Sequence, residues 1–236
     1  MKSAHSRRLF LDHWRGLAVL HMAVFHFSYD LMSFGLLDID TQKDPEWWVQ
    51  PRIIVTFFMI AVGSSLVYAH RDSQKYIRIR WKPFWQRWLK IAGGALLISL
   101  FTYFAFPGHW VYFGTLHSLP PCSLLTLPFL RYPRSSLILG SLVIAPQITG
   151  IWEWPWWKLA HPSMDYIPPL PWLGCCVIGV FLAHYDFWQK VTQSMGWAFI
   201  RGLKPLEFCG RHALKIYILH QPLLYGLAWS LASLLK

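Results

Sequence analysis

The chain has 236 residues, of which 55% are apolar and only 14% charged, and its formal net charge is +11. Globular proteins carry roughly 25% charged residues, so an ordinary soluble domain is excluded and a chain solvated by lipid is expected. The length allows one domain, 1–236. The positive charge does not point to nucleic acid, because the basic residues stand in short blocks between apolar runs instead of forming one phosphate-reading face.

A spanning helix needs about 20 mostly apolar residues. Seven segments meet or approach this, which predicts an all-α polytopic bundle of about seven transmembrane helices. The first, 9–35, carries Asp12, Arg15, His26 and Asp30 and no small-residue cleavage site, so it reads as a retained helix and not a signal peptide. An acidic loop follows, with Asp38, Asp40, Lys43, Asp44 and Glu46. Arg52 opens the second segment, 51–69, where Gly63, Ser64 and Ser65 suit close helix packing.

A strongly basic loop comes next, from Arg71 through Lys75, Arg78, Arg80 and Lys82 to Arg87 and Lys90. The third and fourth segments are 89–106 and 111–130, with Trp110 between them. Arg131 and Arg134 then precede the fifth, 135–151. The following loop holds Trp152, Trp154, Trp156 and Trp157 with Glu153, Lys158 and Asp165, before the sixth segment, 168–185. Lys190, Arg201 and Lys204 lead into the seventh, 206–234.

Basic and basic-poor loops alternate along this order. With Lys2, Arg7 and Arg8 in the first basic block, the positive-inside rule puts the N-terminus in the cytoplasm. The tryptophans of the basic-poor loops suit an interfacial belt, or the mouth of a site where a sugar stacks. Cys122, Cys175, Cys176 and Cys209 have no metal-type spacing and read as small core residues, so no metal is expected.

The first helix carries the chemistry. At about 100° per residue, Asp12, Arg15, His26 and Asp30 fall within an arc of roughly 60°, with His21 opposite. Ionisable groups in a membrane helix are costly and normally face a bundle interior or a wet cavity. His26 and Asp30 lie one turn apart, the spacing at which a carboxylate can orient an imidazole as general base for acyl transfer. Arg15, about 17 Å along the axis, can meet an anionic donor. Two structural ion pairs tying helices together account for the stripe equally well. A proton or ion path in a transporter is the main rival use of the same seam.

The run RLFLDHWRGLAVLHMAVFHFSYDL resembles the opening of the heparan-alpha-glucosaminide N-acetyltransferase catalytic-domain-like family. Its Leu11, Asp12, Arg15, Gly16 and His26 are also similar to the pattern of O-antigen-acetylase-type membrane acyltransferases, in which an arginine is followed by ten residues and a histidine. Agreement continues in order through RIIVTFFMIAVGSSL, FWQRWLKI, FGTLHSL, PLPWLG and GRHALKIYILHQPLL, and so covers nearly the whole chain.

The resemblance implies acetyl-CoA as cytosolic donor and an extracytoplasmic amine or hydroxyl of a glycan or amino sugar as acceptor. His26 would be base or acetyl carrier, with Asp30 beside it. Arg15 would serve the CoA, together with Arg87 and Lys90, which resemble an Arg-x-x-Arg element but have lysine in second place. His117, Arg52, His220 and Gln221 are candidate acceptor contacts, Arg52 also as a partner for Asp30. On a continuous last helix Glu207, Arg211, Tyr217 and Gln221 share a face and His220 points elsewhere. The catalytic histidine assigned within the family precedes the second helix, where this chain reads TQKDPEWW without histidine. Either His26 takes that role here or the reaction differs. The expected location is a bacterial inner membrane.

Overall fold

A computed structural model of the protein describes residues 2–39, 44–72, 74–196 and 202–235. Asp40, Lys43 and Arg201 lie outside the described residues, as do the side chains of Lys2, Arg7, Arg8 and Glu46. Among the described residues there are nine α-helices, one 3-10 segment and no β-strand. The helices are α1 (Lys2–Ser33), α2 (Pro45–His70), α3 (Trp81–Ala105), α4 (Thr115–Thr126), α5 (Pro133–Thr149), α6 (Pro169–His184), α7 (Phe187–Met195), α8 (Lys204–Arg211) and α9 (Ala213–Leu235); the 3-10 turn Leu127–Arg131 continues α4.

Each of the seven expected segments contains a helix, but the helices are not equal. Among the described residues three stretches are long and apolar enough to cross a membrane: Trp47–His70, Trp81–Ala105 and Ala213–Leu235. A fourth results if α6 and α7, bent by 68°, are one span. The helices α4, α5 and α6, of 12, 17 and 16 residues, fall short of 18. The seam residues keep α1 below the apolarity of the other long helices. The expected last helix is two, because the chain leaves helical geometry at His212 (φ −105°, ψ 16°).

The chain divides into two compact units, with boundaries inside α2 and α7. The first unit comprises Met1–Phe58 and Val191–Lys236. In it α1 packs against α8 and α9. Leu9, Leu11, Ala18, Val19 and Met22 of α1 are buried, while Leu17, Leu20 and Val24 are exposed at a helical spacing that suits lipid contact. The Trp14 indole stacks on Phe57 at 4.2 Å and donates to the Phe57 carbonyl at 3.0 Å, which ties α1 to α2.

The second unit is Met59–Lys190. Here Gly63 faces the Cys176 carbonyl and Gly179 faces that of Ile60, so α2 and α6 touch backbone to backbone. Ser64 donates to the Gly179 carbonyl at 2.9 Å and accepts from the Trp188 indole at 2.9 Å. The expected role of Gly63 and Ser64 in close packing is therefore borne out. All four cysteines are free thiols, and Cys122, Cys175 and Cys176 are buried.

The connections of this unit sort into two ends. Ile167 N–H donates to the Phe113 carbonyl at 2.8 Å and Met164 N–H to that of His109 at 3.0 Å, which joins the two aromatic loops. At the other end Arg131 donates to the Ile77 carbonyl at 3.3 Å and Arg71 meets His184 at 3.1 Å, which joins the basic segments. Each of α3, α4 with its 3-10 turn, α5 and α6 runs from one end to the other.

Candidate active site

In the first unit the seam of α1 resolves into two clusters. The lower one begins where α1 crosses α8 at backbone contact. A Cβ on Gly16 would meet the Leu206 carbonyl, and one on Gly210 would meet that of Asp12. Glycine on both helices lets the polar side chains beside the crossing reach each other. Arg15 Nη1 donates to Asp12 Oδ1 at 2.6 Å, Arg211 Nε stands 3.8 Å from Asp12 Oδ2, and Arg211 also pairs with Glu207. One of the two structural pairs expected as an alternative is thus present. Arg15 commits at least one donor to Asp12 within its own helix.

The upper cluster contains His26. Its ring lies 5.0 Å from the His220 ring, tilted by 60°, and 5.5 Å from Phe25. Asp30 is 2% exposed, and its Oδ1 accepts from Gln221 Nε2 at 2.9 Å. The carboxylate that sequence spacing pairs with His26 is therefore bonded to α9 instead. His220 and Gln221 both face α1, which corrects the expectation that His220 points elsewhere. The break at His212 restarts the helix at Ala213, so the register projected from α8 does not carry into α9.

Three polar atoms of this cluster are buried without a hydrogen-bond partner among the described residues: Asp30 Oδ2, Gln221 Oε1 and His220 Nε2. His220 Nδ1 lies 2.7 Å from the Tyr217 carbonyl, which can only accept. Nδ1 therefore carries the hydrogen, and in the neutral ring Nε2 presents a lone pair. All three atoms are acceptors. Unsatisfied buried acceptors cost about 1–3 kcal/mol each, so a seam that keeps three of them suits a ligand rich in N–H or O–H donors.

The remaining candidates lie elsewhere. Arg52 falls inside α2, because the helix begins at Pro45. Its guanidinium stacks over Trp48 at 3.6 Å and donates to the Trp48 carbonyl, so Trp48 replaces the expected partner Asp30. Arg87 and Lys90 are exposed on α3 in the second unit. His117, also in the second unit, has both ring nitrogens engaged. Gly114 N–H donates to Nδ1 at 3.2 Å, and Nε2–H donates to Ser99 Oγ at 2.8 Å, whose hydroxyl donates to the Val111 carbonyl at 2.7 Å. That chain locks the start of α4 and leaves the ring a structural role.

Beside it, Asp165 accepts from Thr115 N–H at 2.8 Å and closes the N-terminal end of α4 from the loop 150–168. Burial pushes the Asp165 carboxyl above its ordinary range, against the opposing hydrogen bonds from Thr115. Sequence reasoning placed Asp165 in its loop but not on the helix end. Gly210 it missed, although its position before Arg211 in GRHALK was a usable sign of a close approach.

Residues 7–222 match the model of the family described as Heparan-alpha-glucosaminide N-acetyltransferase, catalytic. No curated protein and no solved structure matches the chain.

Proposed function

The chain belongs to the heparan-alpha-glucosaminide N-acetyltransferase catalytic family, and from that premise we propose that it transfers an acetyl group from cytosolic acetyl-CoA to an amine or hydroxyl of an extracytoplasmic glycan or amino sugar. The observation that carries this reading is the upper cluster of α1 and α9. A histidine stands there among three buried acceptor atoms that have no partner among the described residues.

Asp30 Oδ2, Gln221 Oε1 and His220 Nε2 receive hydrogen bonds from the hydroxyls and amine of the acceptor and hold its nucleophile beside His26. His26 takes the proton as the acceptor nitrogen or oxygen attacks the thioester carbonyl. The C–S bond breaks, the thiolate of CoA leaves, and the proton on His26 passes to it. Asp30 acts through Gln221 and through the field it sets up in the seam. General-base assistance of this kind contributes about 10²–10⁴ in rate.

Arg15 is the cation of the first unit that we assign to the donor's phosphates. Arg15 is drawn to that role from its pair with Asp12. The alternation of basic and basic-poor loops supports an N-terminus on the cytoplasmic side of a bacterial inner membrane, and with it donor access from the end of α1 that holds Arg15.

The test is transfer of labelled acetyl from acetyl-CoA to a panel of amino sugars by the purified chain in detergent. Labelled product from the native chain, at least 10²-fold less from Asp30→Asn with Gln221→Leu, supports the assignment. Undiminished transfer by that double variant rejects it.

A further inference from the structure

Within the second unit the basic end is concave. Lys75, Tyr76, Ile77, Arg78, Arg131 and His184 line an open cavity of about 530 Å³, within the roughly 300–1,000 Å³ span of small-molecule sites. Positive-inside topology explains why arginines and lysines gather on such a loop. It does not explain a built cavity.

The wall is held in shape by the chain's own hydrogen bonds. Arg71 and Ile77 form an antiparallel bridge, and Asp72 Oδ1 accepts from the N–H groups of Gln74 and Tyr76 at 2.9 and 2.8 Å. Lys75 sits at the turn with φ +67°, a left-handed conformation uncommon for residues other than glycine. Arg131 closes the opposite side by donating to the Ile77 carbonyl. The floor is fixed as well. His184 Nε2–H donates to the Leu130 carbonyl at 2.7 Å, so Nδ1 accepts from Arg71, whose side chain is only 8% exposed.

Among the described residues three cations, Lys75, Arg78 and Arg131, line the hollow and Arg71 lies behind His184, while the carboxylates of Asp72 and Asp186 stand 3.9 Å from Arg78 and Arg71. The Asp72 contact reaches only the Nε edge of the Arg78 guanidinium. Arg78 is exposed by 82% on its side chain, with its guanidinium available to a ligand. Tyr76, 65% exposed, adds an aromatic face at the rim.

We propose that this cavity is a binding site for a phosphate-bearing anion, with Arg78 and Arg131 as its charge-assisted donors, Lys75 as a third point charge, and Arg71 as the buried positive charge beneath. Guanidinium groups match phosphate oxygens in pairs, and the preset wall lowers the ordering cost of binding. The phosphate can come from a soluble ligand such as a nucleotide diphosphate or from the headgroup of an acidic phospholipid.

The experiment uses the purified full chain and three probes: inorganic pyrophosphate and coenzyme A by titration calorimetry in neutral detergent, and nanodiscs of phosphatidylglycerol compared with phosphatidylcholine by thermal unfolding. Each is repeated with Lys75→Gln/Arg78→Gln, both on exposed side chains, and with Arg131→Gln. The control is Lys158→Gln, in the loop 150–168. Soluble-ligand binding that weakens tenfold or more in the variants, and not in the control, supports the site with a soluble source. A stabilisation by phosphatidylglycerol that only the variants lose supports it with a lipid source. If the variants match the native chain with all three probes, the proposal is overturned. Because the double variant alters only exposed side chains, a loss of binding in it does not reflect a loss of folding.

Discussion

Gly16→Ala tests whether the polar seam depends on the backbone crossing of α1 and α8. The added Cβ would sit 2.9 Å from the carbonyl carbon of Leu206 and 3.2 Å from the nitrogen of Gly210, and nearer still to the Leu206 oxygen. Carbon contacts settle near 3.5–4.0 Å, so the helices must part by roughly an ångström. Every atom in the way is backbone, and no rotamer can turn aside. Overpacking of this kind costs about 1–3 kcal/mol. For a chain of this length that corresponds to an unfolding midpoint lowered by roughly 2–12 °C. Because α8 leads through His212 into α9, the shift also moves His220 and Gln221 from their places beside His26 and Asp30, and acetyl transfer should fall with stability.

The internal control is Gly93→Ala on α3, where nothing lies within 4 Å of the new atom. There alanine should be neutral or stabilising, by up to about 1 kcal/mol, from helix propensity alone. The assay is thermal unfolding in one detergent for the three proteins, with transfer measured on the same preparations. If Gly16→Ala unfolds with the native protein and transfers at the native rate, the crossing does not organise the seam and the reasoning fails.

Gln221→Leu removes the donor to Asp30 Oδ1 and leaves a buried carboxyl without that partner; a bond of this kind is worth about 1.5–3 kcal/mol, so kcat/KM for the amino-sugar acceptor should drop at least tenfold. Steady-state kinetics over an acceptor series reads this, and an unchanged kcat/KM counts against the role of Gln221. His117→Ala should lower the unfolding midpoint by breaking the Gly114–His117–Ser99 chain while transfer per folded molecule stays native; lost activity in a folded sample would move His117 into the site. Burial raises the Asp165 carboxyl in the folded protein above its unfolded range, so its contribution to stability is fully present below the unfolded value and is lost as pH rises through the folded one. The midpoint of the native chain should therefore decline with rising pH above about 4 relative to Asp165→Asn, in an unfolding series at fixed salt; parallel curves would remove the linkage.

The seam itself was legible because one helix carries it, and a period of 3.6 residues needs no knowledge of partners to place Asp12, Arg15, His26 and Asp30 on one face. The Asp12–Arg15 pair lies within that helix and was legible with it, whereas the partner of Asp30 was not, because it stands on a neighbouring helix. Asp30 bonds Gln221 because the stop at His212 resets α9, and nothing in KPLEFCGRHALK fixes a break at that residue. Arg52 shows the same limit at a boundary. Starting α2 at Pro45 rather than residue 51 puts Trp48 one turn before Arg52, within stacking reach. The unequal helix lengths follow from local chemistry. Pro120 and Pro121 lie within α4, and the 3-10 turn that follows begins just before Pro128. Charge alternation along the loops, by contrast, anticipated which connections of the second unit gather at each end, because each helix there is a single traverse.

The proposed acetyl transfer is tested most directly at His26. The purified chain, folded as judged by its unfolding midpoint, is assayed for acetyl transfer from acetyl-CoA to an amino-sugar acceptor beside His26→Ala. A general base at that position predicts transfer by the native protein and a loss of at least 10²-fold in the variant. Full transfer by a folded His26→Ala protein would contradict it.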